Sequence, residues 1–205
     1  FLATTGTVVS ATVVAYSFAR FRYPGRDLLF MITLGTMMIP TEVTLIPQFL
    51  IFKQLEWLNT IRPLWIPAWF GGGAFNIFLL RQFIQTIPRE LDEAALIDGA
   101  SRLRTLISII VPLIKPALAT SLVISLIWNW SDFMGPLVYL NSSSKFTLAL
   151  GLRFFDEWGR STGQGLPQDH YLMAACVMSS APILLLFFST QRYFVQGIVM
   201  TGIKG

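Results

Sequence analysis

The chain has 205 residues, 54% of them hydrophobic and only 13% charged, with a mean hydropathy of +0.61. A soluble domain carries about 25% charged residues, so half that share, together with 17 Phe and 6 Trp, excludes a water-soluble globule and reads as a protein of the bilayer. The net charge of +4 comes with no basic run interleaved with aromatics, which excludes nucleic acid as partner; the one cysteine, Cys176, lies in an apolar run and supports neither a disulfide framework nor a metal cluster.

Runs of roughly 18 or more residues with few charges mark membrane spans. Five stretches qualify, which predicts an all-α, polytopic transmembrane bundle. The first runs from about Phe1 to Ala19, uncharged and rich in Val, Ala, Ser and Thr. No charged n-region precedes it, so it is a poor signal peptide; the expectation is a chain that begins inside or just before a span, with a further span upstream. The second runs from Leu28 toward Phe52 and is interrupted by Pro40, Glu42 and Pro47. A proline removes a helix hydrogen bond, which predicts a helix to about Ile39, a break, and a short restart. The third, about Leu64 to Leu80, contains Gly71, Gly72 and Gly73, read as a close helix contact or a hinge, with Asn76 placed to hydrogen-bond between helices. The fourth, about Pro116 to Leu140, is broken near Asp132 and Pro136, and the fifth, about Tyr171 to Thr190, contains Pro182.

Lys and Arg in the short loops set orientation. Arg20, Arg22, Arg26, Arg81, Arg89, Arg102, Arg104, Lys115, Arg192 and Lys204 fall on one side, and Lys53, Arg62, Lys145, Arg153 and Arg160 on the other. Ten against five places the 20–27 turn, the 81–115 connection and the C-terminal tail (191–205) in the cytoplasm. Residues 141–170 then form a polar extracytoplasmic loop, a natural face for a partner outside the membrane, although surface loops are polar for solubility alone.

The connection from Arg81 to Lys115, RQFIQTIPRELDEAALIDGASRLRTLISIIVPLIK, carries the most information. Pro88 suits a first helical turn, and Glu90, Asp92 and Glu93 complement the positive end of the helix dipole. Leu91, Ala94, Ala95 and Ile97 give an apolar face of small residues. Gly99, after Asp98, can take the left-handed conformation of a C-cap, and Ser101 can cap a second helix running through Leu103, Leu106 and Ile109 to Pro112. Two short helices joined by a glycine turn on the cytoplasmic side are either an interfacial tie between spans or a knob onto which a soluble protein docks.

This segment resembles the EAA loop (86–112) of ABC-importer permeases, in which Glu-Ala-Ala, two residues, Asp-Gly-Ala and an Ile-x-Leu-Pro ending recur. The matching residues are Glu93, Ala94, Ala95, Asp98, Gly99, Ala100, Ile109 and Pro112, with Val111 where Leu is usual and Leu106 where Phe is common. Residues 16–26, 38–47, 130–137 and 191–205 also resemble carbohydrate-type permeases similar to the smaller permease of the maltose system. Ser131, Gly135 and Gln196 depart from the family's Asn, Trp and Arg. The resemblance implies a type I-like permease domain over 1–205 that catalyses nothing and holds no cofactor. No G-x-x-x-x-G-K-[ST] loop is present, so ATP and Mg belong to partner subunits. The implied partners are an ABC ATPase dimer, a second and different permease, an extracytoplasmic solute-binding protein and the lipid bilayer.

Four residues are candidates for the solute pathway. Glu42 is an ionisable group within a span, which faces a cavity or, given Pro40 and Pro47, the outer interface. Asn129, Trp130 and Asp132 combine an aromatic ring that can stack on a sugar face with groups that can bond hydroxyls. The competing reading is an interfacial aromatic belt at a helix-breaking turn. His170, at the outer edge of the fifth span, reads as interfacial.

Overall fold

The computed structural model describes residues 1–161 and 169–202, the side chains of 155–161, 169 and 191–202 excepted. Among these residues twelve α-helices follow in chain order: α1 (Leu2–Arg20), α2 (Arg26–Gly35), α3 (Thr41–Gln54), α4 (Arg62–Trp65), α5 (Ala74–Thr86), α6 (Glu90–Ile97), α7 (Arg102–Thr105), α8 (Val111–Leu113), α9 (Lys115–Ser131), α10 (Met134–Tyr139), α11 (Leu148–Ser161) and α12 (Asp169–Gly202). Among the described residues no strand is present, as the composition predicts.

The centre of the bundle is α1 against α5, with α9 alongside. Helix α1 offers Ala11, Ala15 and Ala19, four residues apart and at most 1% exposed, and α5 sets Ile77, Leu80 and Ile84 against that stripe. Small residues at this spacing let two helix backbones approach where lipid supplies no hydrophobic drive. Leu106, Ile110, Ile114 and Ala117 extend the same core into the 81–115 connection and the start of α9. One buried polar cluster fastens α5 to α9: the Asn76 carbonyl accepts from Ser121 Oγ at 2.7 Å and Ser125 Oγ at 3.3 Å, and its amide donates to Gly72 O at 3.3 Å. Asn76 is therefore the interhelical bond its sequence position suggests. The outside is apolar instead: Met31, Ile46, Val177 and Leu185 are all more than 60% exposed, the reverse of a protein surface in water.

Among the described residues, three helices or helical stretches are long and apolar enough to cross a bilayer, at Leu2–Arg20, Arg62–Thr86 and His170–Thr190; two bent pairs, Arg26–Met38 with Thr41–Gln54 and Arg102–Leu113 with Lys115–Ser131, raise the number to five. The second stretch breaks at Ile39–Pro40 as expected, but the restart is α3, a full 14 residues turned by 100°. Pro47 lies inside α3 without ending it. The third stretch is no continuous helix: Gly71, Gly72 and Gly73 all have positive φ, and α5 begins only after them and runs on to Thr86. Of the three, Gly72 makes the close approach, because a Cβ there would overlap the backbone N of Ala11 and Thr7 O. The fourth ends at Ser131, and Pro136 sits within α10 rather than at the break. Helix α12 runs through Pro182 and continues to Gly202, with the candidate span within it ending at Thr190; residues 191–202 of the expected tail are helical, and 203–205 lie outside the described residues.

The polar loop expected over 141–170 contains α11, whose Leu150 is fully buried while Leu148 and Phe154 are exposed. Gly163 and Gly165 of that loop lie outside the described residues. Its entry is tied down by Asn59, which takes a positive φ of 54°. Asn59 Oδ1 accepts from the backbone N–H of Asn141 and Ser142, its amide donates to Ser142 Oγ, and Lys145 Nζ donates to its carbonyl at 2.6 Å. Asn59 thus ties 57–62 to 141–145, and Arg20 separately ties the end of α1 to Ile87 and Asp92.

Candidate functional site

The knob between α5 and α9 is built as its residues dictate. Helix α6 ends in a Schellman motif: Ala100 N–H donates to Ala95 O at 2.9 Å and Gly99 N–H to Leu96 O at 3.0 Å, with Gly99 at φ 78°. That left-handed position favours glycine. Ser101 caps α7, its Oγ accepting from Arg104 N–H at 3.3 Å. Pro88 falls two residues before α6 rather than within it. The expected stop at Pro112 moves to Ile114. Residues Leu106–Ile110 form a π-turn, which shifts the hydrogen-bond ladder just before the proline that has no N–H to donate. The chain then bends by 84° into α9.

Of the matched residues, Glu93, Ala94, Asp98 and Gly99 are exposed, Ala95 is buried, Ala100 and Ile109 are half-buried, and Pro112 is exposed. Ile97 is 86% exposed, with Leu91 and Leu103 beside it also open. The knob therefore presents an apolar and acidic outer face and buries the opposite one.

What lies under it was not legible as a site. Asp92 is 4% exposed, and its carboxylate meets Arg20 Nε at 3.1 Å and accepts from the Tyr16 hydroxyl at 3.2 Å. Arg20 Nη2 donates to Ile87 O at 2.9 Å. Neither Arg20 Nε nor Asp92 Oδ2 forms an aligned hydrogen bond, so the attraction between them is chiefly that of two buried charges. Asp92 is thus an anchor to α1 rather than a surface complement to the helix dipole, and Arg20 does more than set topology. The sequence shows each half only: Tyr16 and Arg20 are four apart on one face of α1, and Asp92 and Ala95 three apart on one face of α6, while their pairing belongs to the fold. Nearby, the Arg81 guanidinium lies 4.0 Å above the Phe30 ring, joining α5 to α2 through a cation–π contact.

The four pathway candidates are not brought together. Glu42 is exposed in the first turn of α3 and has no ion pair or hydrogen bond among the described residues. Asn129 donates to Ser125 O at 2.7 Å and to Thr4 Oγ1 of α1 at 3.4 Å. Trp130 Nε1 donates to Ser179 O of α12 at 3.1 Å and, with Ser131 and Ser180, lines a cavity of about 240 Å³ between α9, α11 and α12. Asp132 is exposed and accepts from Gly135 N–H at 3.2 Å; a Cβ at Gly135 would come within 2.7 Å of its Oδ2. The departure at Gly135 therefore leaves Asp132 free to cap α10. His170 is exposed, its ring tilted at 42° and 4.1 Å from that of the adjacent Tyr171.

The fold and the knob together define a multi-pass helical membrane protein with a capped helix–turn–helix between two of its candidate spans. The sequence profile of the binding-protein-dependent transport system inner membrane component matches residues 9–200, and the chain belongs to that family: it is an inner-membrane permease subunit and not an enzyme. It is 36% identical over 203 residues to the osmoprotective compounds uptake permease protein GgtD of Synechocystis sp., covering 98% of this chain and 66% of that one. It is 34% identical over 199 residues to the arabinooligosaccharides transport system permease protein AraQ of Halalkalibacterium halodurans, covering 97% of this chain and 68% of that one. A third relative is the sn-glycerol-3-phosphate transport system permease protein UgpE of Pectobacterium atrosepticum, 34% identical over 196 residues, 96% of this chain and 68% of that one. The chain thus spans about two thirds of the length of these relatives. Its fold is similar to a chain in the crystal structure of a bacterial ABC transporter involved in the import of the acidic polysaccharide alginate, with a TM-score of 0.76, 29% identity, and coverage of 93% of this chain and 71% of that chain.

Proposed function

We propose that the chain is the membrane-spanning permease of an ATP-driven ABC importer and that the α6–Gly99–α7 knob is where its ATPase subunits push. The observation that carries this reading is the two-sidedness of the knob. Glu93, Ala94, Ile97 and Gly99 face outward, while Asp92 and Ala95 are buried against the bundle. A docking element must expose a complementary surface and be held from beneath, so that a displacement reaches the spans instead of being absorbed locally. Each partner then shifts the permease between inward- and outward-facing states by binding one state better than the other. The remaining partners in this reading are a second, different permease and an extracytoplasmic binding protein that delivers solute on the side of Asn59 and residues 141–145.

The transported solute is a sugar or sugar-like compound. The names of the similar permeases support that class, since they span oligosaccharides, a glycerol phosphate and osmoprotective compounds. Trp130, with Ser131 and the Ser179–Ser180 pair around one cavity, offers an aromatic face and hydroxyls; Asn129, Asp132 and Glu42 are the further pathway candidates.

The test is co-purification of the full-length protein with its partner subunits in mild detergent, with solute-stimulated ATPase activity measured for wild type, Gly99→Pro and Glu93→Lys. The expected outcome is an assembled wild-type complex, and variants that insert normally but lose stimulated turnover or the bound ATPase. Normal turnover in both variants would remove the coupling role of the knob.

A further inference from the structure

Two adjoining cavities open between the α1–α2 turn and the knob, of about 700 and 470 Å³, and share Arg22, Tyr23 and Arg89. The first also meets Arg20, Arg102, Asp92 and Glu93, and the second Arg26, Asp27 and Leu28. Most of these charges are already satisfied. Asp92 is held by Arg20 at 3.1 Å and Asp27 by Arg26 at 2.8 Å. That leaves Arg22, Arg89 and Arg102 against Glu93 alone. Among the described residues none of the three arginines forms an ion pair or a side-chain hydrogen bond; Arg102 only overlies the Phe21 ring at 5.8 Å. Three exposed arginines line this groove, Arg22 and Arg89 both cavities and Arg102 the first; a surplus of two positive charges selects an anion, and planar guanidinium forks match phosphate oxygens.

The groove also has a direction. It lies on the side that the arginine and lysine count assigns to the cytoplasm, where two membrane helices emerge. Leu28 forms part of its wall, and Leu28, Met31 and Ile32, three and four apart along α2, are 58%, 61% and 56% exposed. A soluble anion would use only the arginines. A ligand with a charged head and an apolar tail uses both the groove and the stripe that leads from it. We propose that this groove binds the phosphate-bearing headgroup of an anionic phospholipid of the cytoplasmic leaflet, with an acyl chain along α2. Arg22 belongs to the α1–α2 turn, and Arg89 and Arg102 precede and begin the two helices of the knob, so one bound headgroup bridges the turn to the knob. Bilayer composition then bears directly on the element proposed above to receive the push.

The experiment uses the full-length chain with its partner subunits in mild detergent. Native mass spectrometry measures retention of phosphatidylglycerol and phosphatidylcholine, each with and without millimolar inorganic phosphate. Variants are the Arg22→Gln/Arg89→Gln pair and, as control, Arg104→Gln, an exposed charge of the same connection that lines neither cavity. Wild type should retain phosphatidylglycerol over phosphatidylcholine by about tenfold or more. The pair should weaken phosphatidylglycerol binding by about thirtyfold, at about fivefold per charge, with Arg104→Gln unchanged. An equal loss in Arg104→Gln would reduce the effect to diffuse surface charge and overturn the site. Displacement of the lipid by inorganic phosphate would assign the groove to a soluble anion. Release of the ATPase from the paired variant with lipid preference intact would assign the arginines to a protein partner. Because lipid retention is read without nucleotide turnover, failure here leaves the coupling role of the knob to its own test.

Discussion

Replacing Asp92 by Ala strands the Arg20 guanidinium, whose side chain is 4% exposed, with no counter-ion, and deprives the Tyr16 hydroxyl of its acceptor. Removing one partner of a buried ion pair costs about 3–5 kcal/mol. Two features put this site at the lower end: Arg20 Nη2 keeps its bond to Ile87 O, and the Arg20–Asp92 contact is not aligned as a hydrogen bond. A loss of about 3 kcal/mol, at about 2–4 °C per kcal/mol for a chain of this size, lowers the unfolding midpoint by about 6–12 °C. The assay is thermal unfolding of the purified full-length complex, followed by tryptophan fluorescence. The double variant Arg20→Leu/Asp92→Leu removes both charges and should recover most of the loss, because apolar replacement of a whole buried pair is often neutral. A midpoint for Asp92→Ala within about 1 °C of wild type would refute the anchoring role. So would a double variant whose loss equals the sum of the two single ones.

Three further outcomes follow from particular contacts. Gly99→Ala meets no atom within 4 Å and pays only for the left-handed backbone, about 1–2 kcal/mol; its midpoint should fall by a few degrees with the complex intact. Gly72→Ala adds overlap with Ala11 N and Thr7 O to the same backbone term, about 2–5 kcal/mol together, read as loss of monodisperse protein in detergent, whereas Gly71→Ala, which meets no atom within 4 Å, carries the backbone term alone and should lose less. Asn76→Leu removes the acceptor of Ser121 and Ser125 inside the α5–α9 contact, costing about 1–3 kcal/mol; a stability equal to wild type would show that those hydroxyls find other partners.

The helices and the knob were legible in the sequence because their signals are local. Proline at 40, glycine at 99 and serine at 101 act within one turn of where they stand, and the breaks and caps fall there. What was illegible depends on contacts between distant segments. Asp92 reads as one of three acidic residues at a helix start, and only the fold shows that it alone is turned inward, to a tyrosine and an arginine more than 70 residues earlier. The third stretch reads as a span by hydropathy, yet the close crossing of Gly72 over α1 forces a break that hydropathy averages away. Helix α11 escapes notice because Ser142, Ser143 and Ser144 and the glycines at 159, 163 and 165 mark 141–170 as a loop, while its apolar residues are interleaved with Arg153, Asp156 and Glu157.

These contacts sort the molecule into parts that move together and parts that can repack. The knob is joined to the bundle three times: by the chain to α5, through the bent helix at Ile114 to α9, and through Asp92 to Tyr16 and Arg20 of α1. Helix α5 is in turn locked to α1 by the alanine stripe and to α9 by Asn76. A displacement of Ile97 or Glu93 therefore carries α1, α5 and the start of α9 as one body, since none can shift without breaking a buried ion pair, a buried hydrogen bond or a close-packed helix contact. Helices α2 and α3 are held more lightly, by Phe18 and Arg81 against Phe30 at one end and by Gln48 and Phe52 against Tyr139 at the other. The 100° bend between them lies just ahead of Glu42, so rearrangement of the spans is expected there first. Spin labels on α2 and α5 would report it as a distance change on nucleotide binding, and labels on α1 and α5 would not.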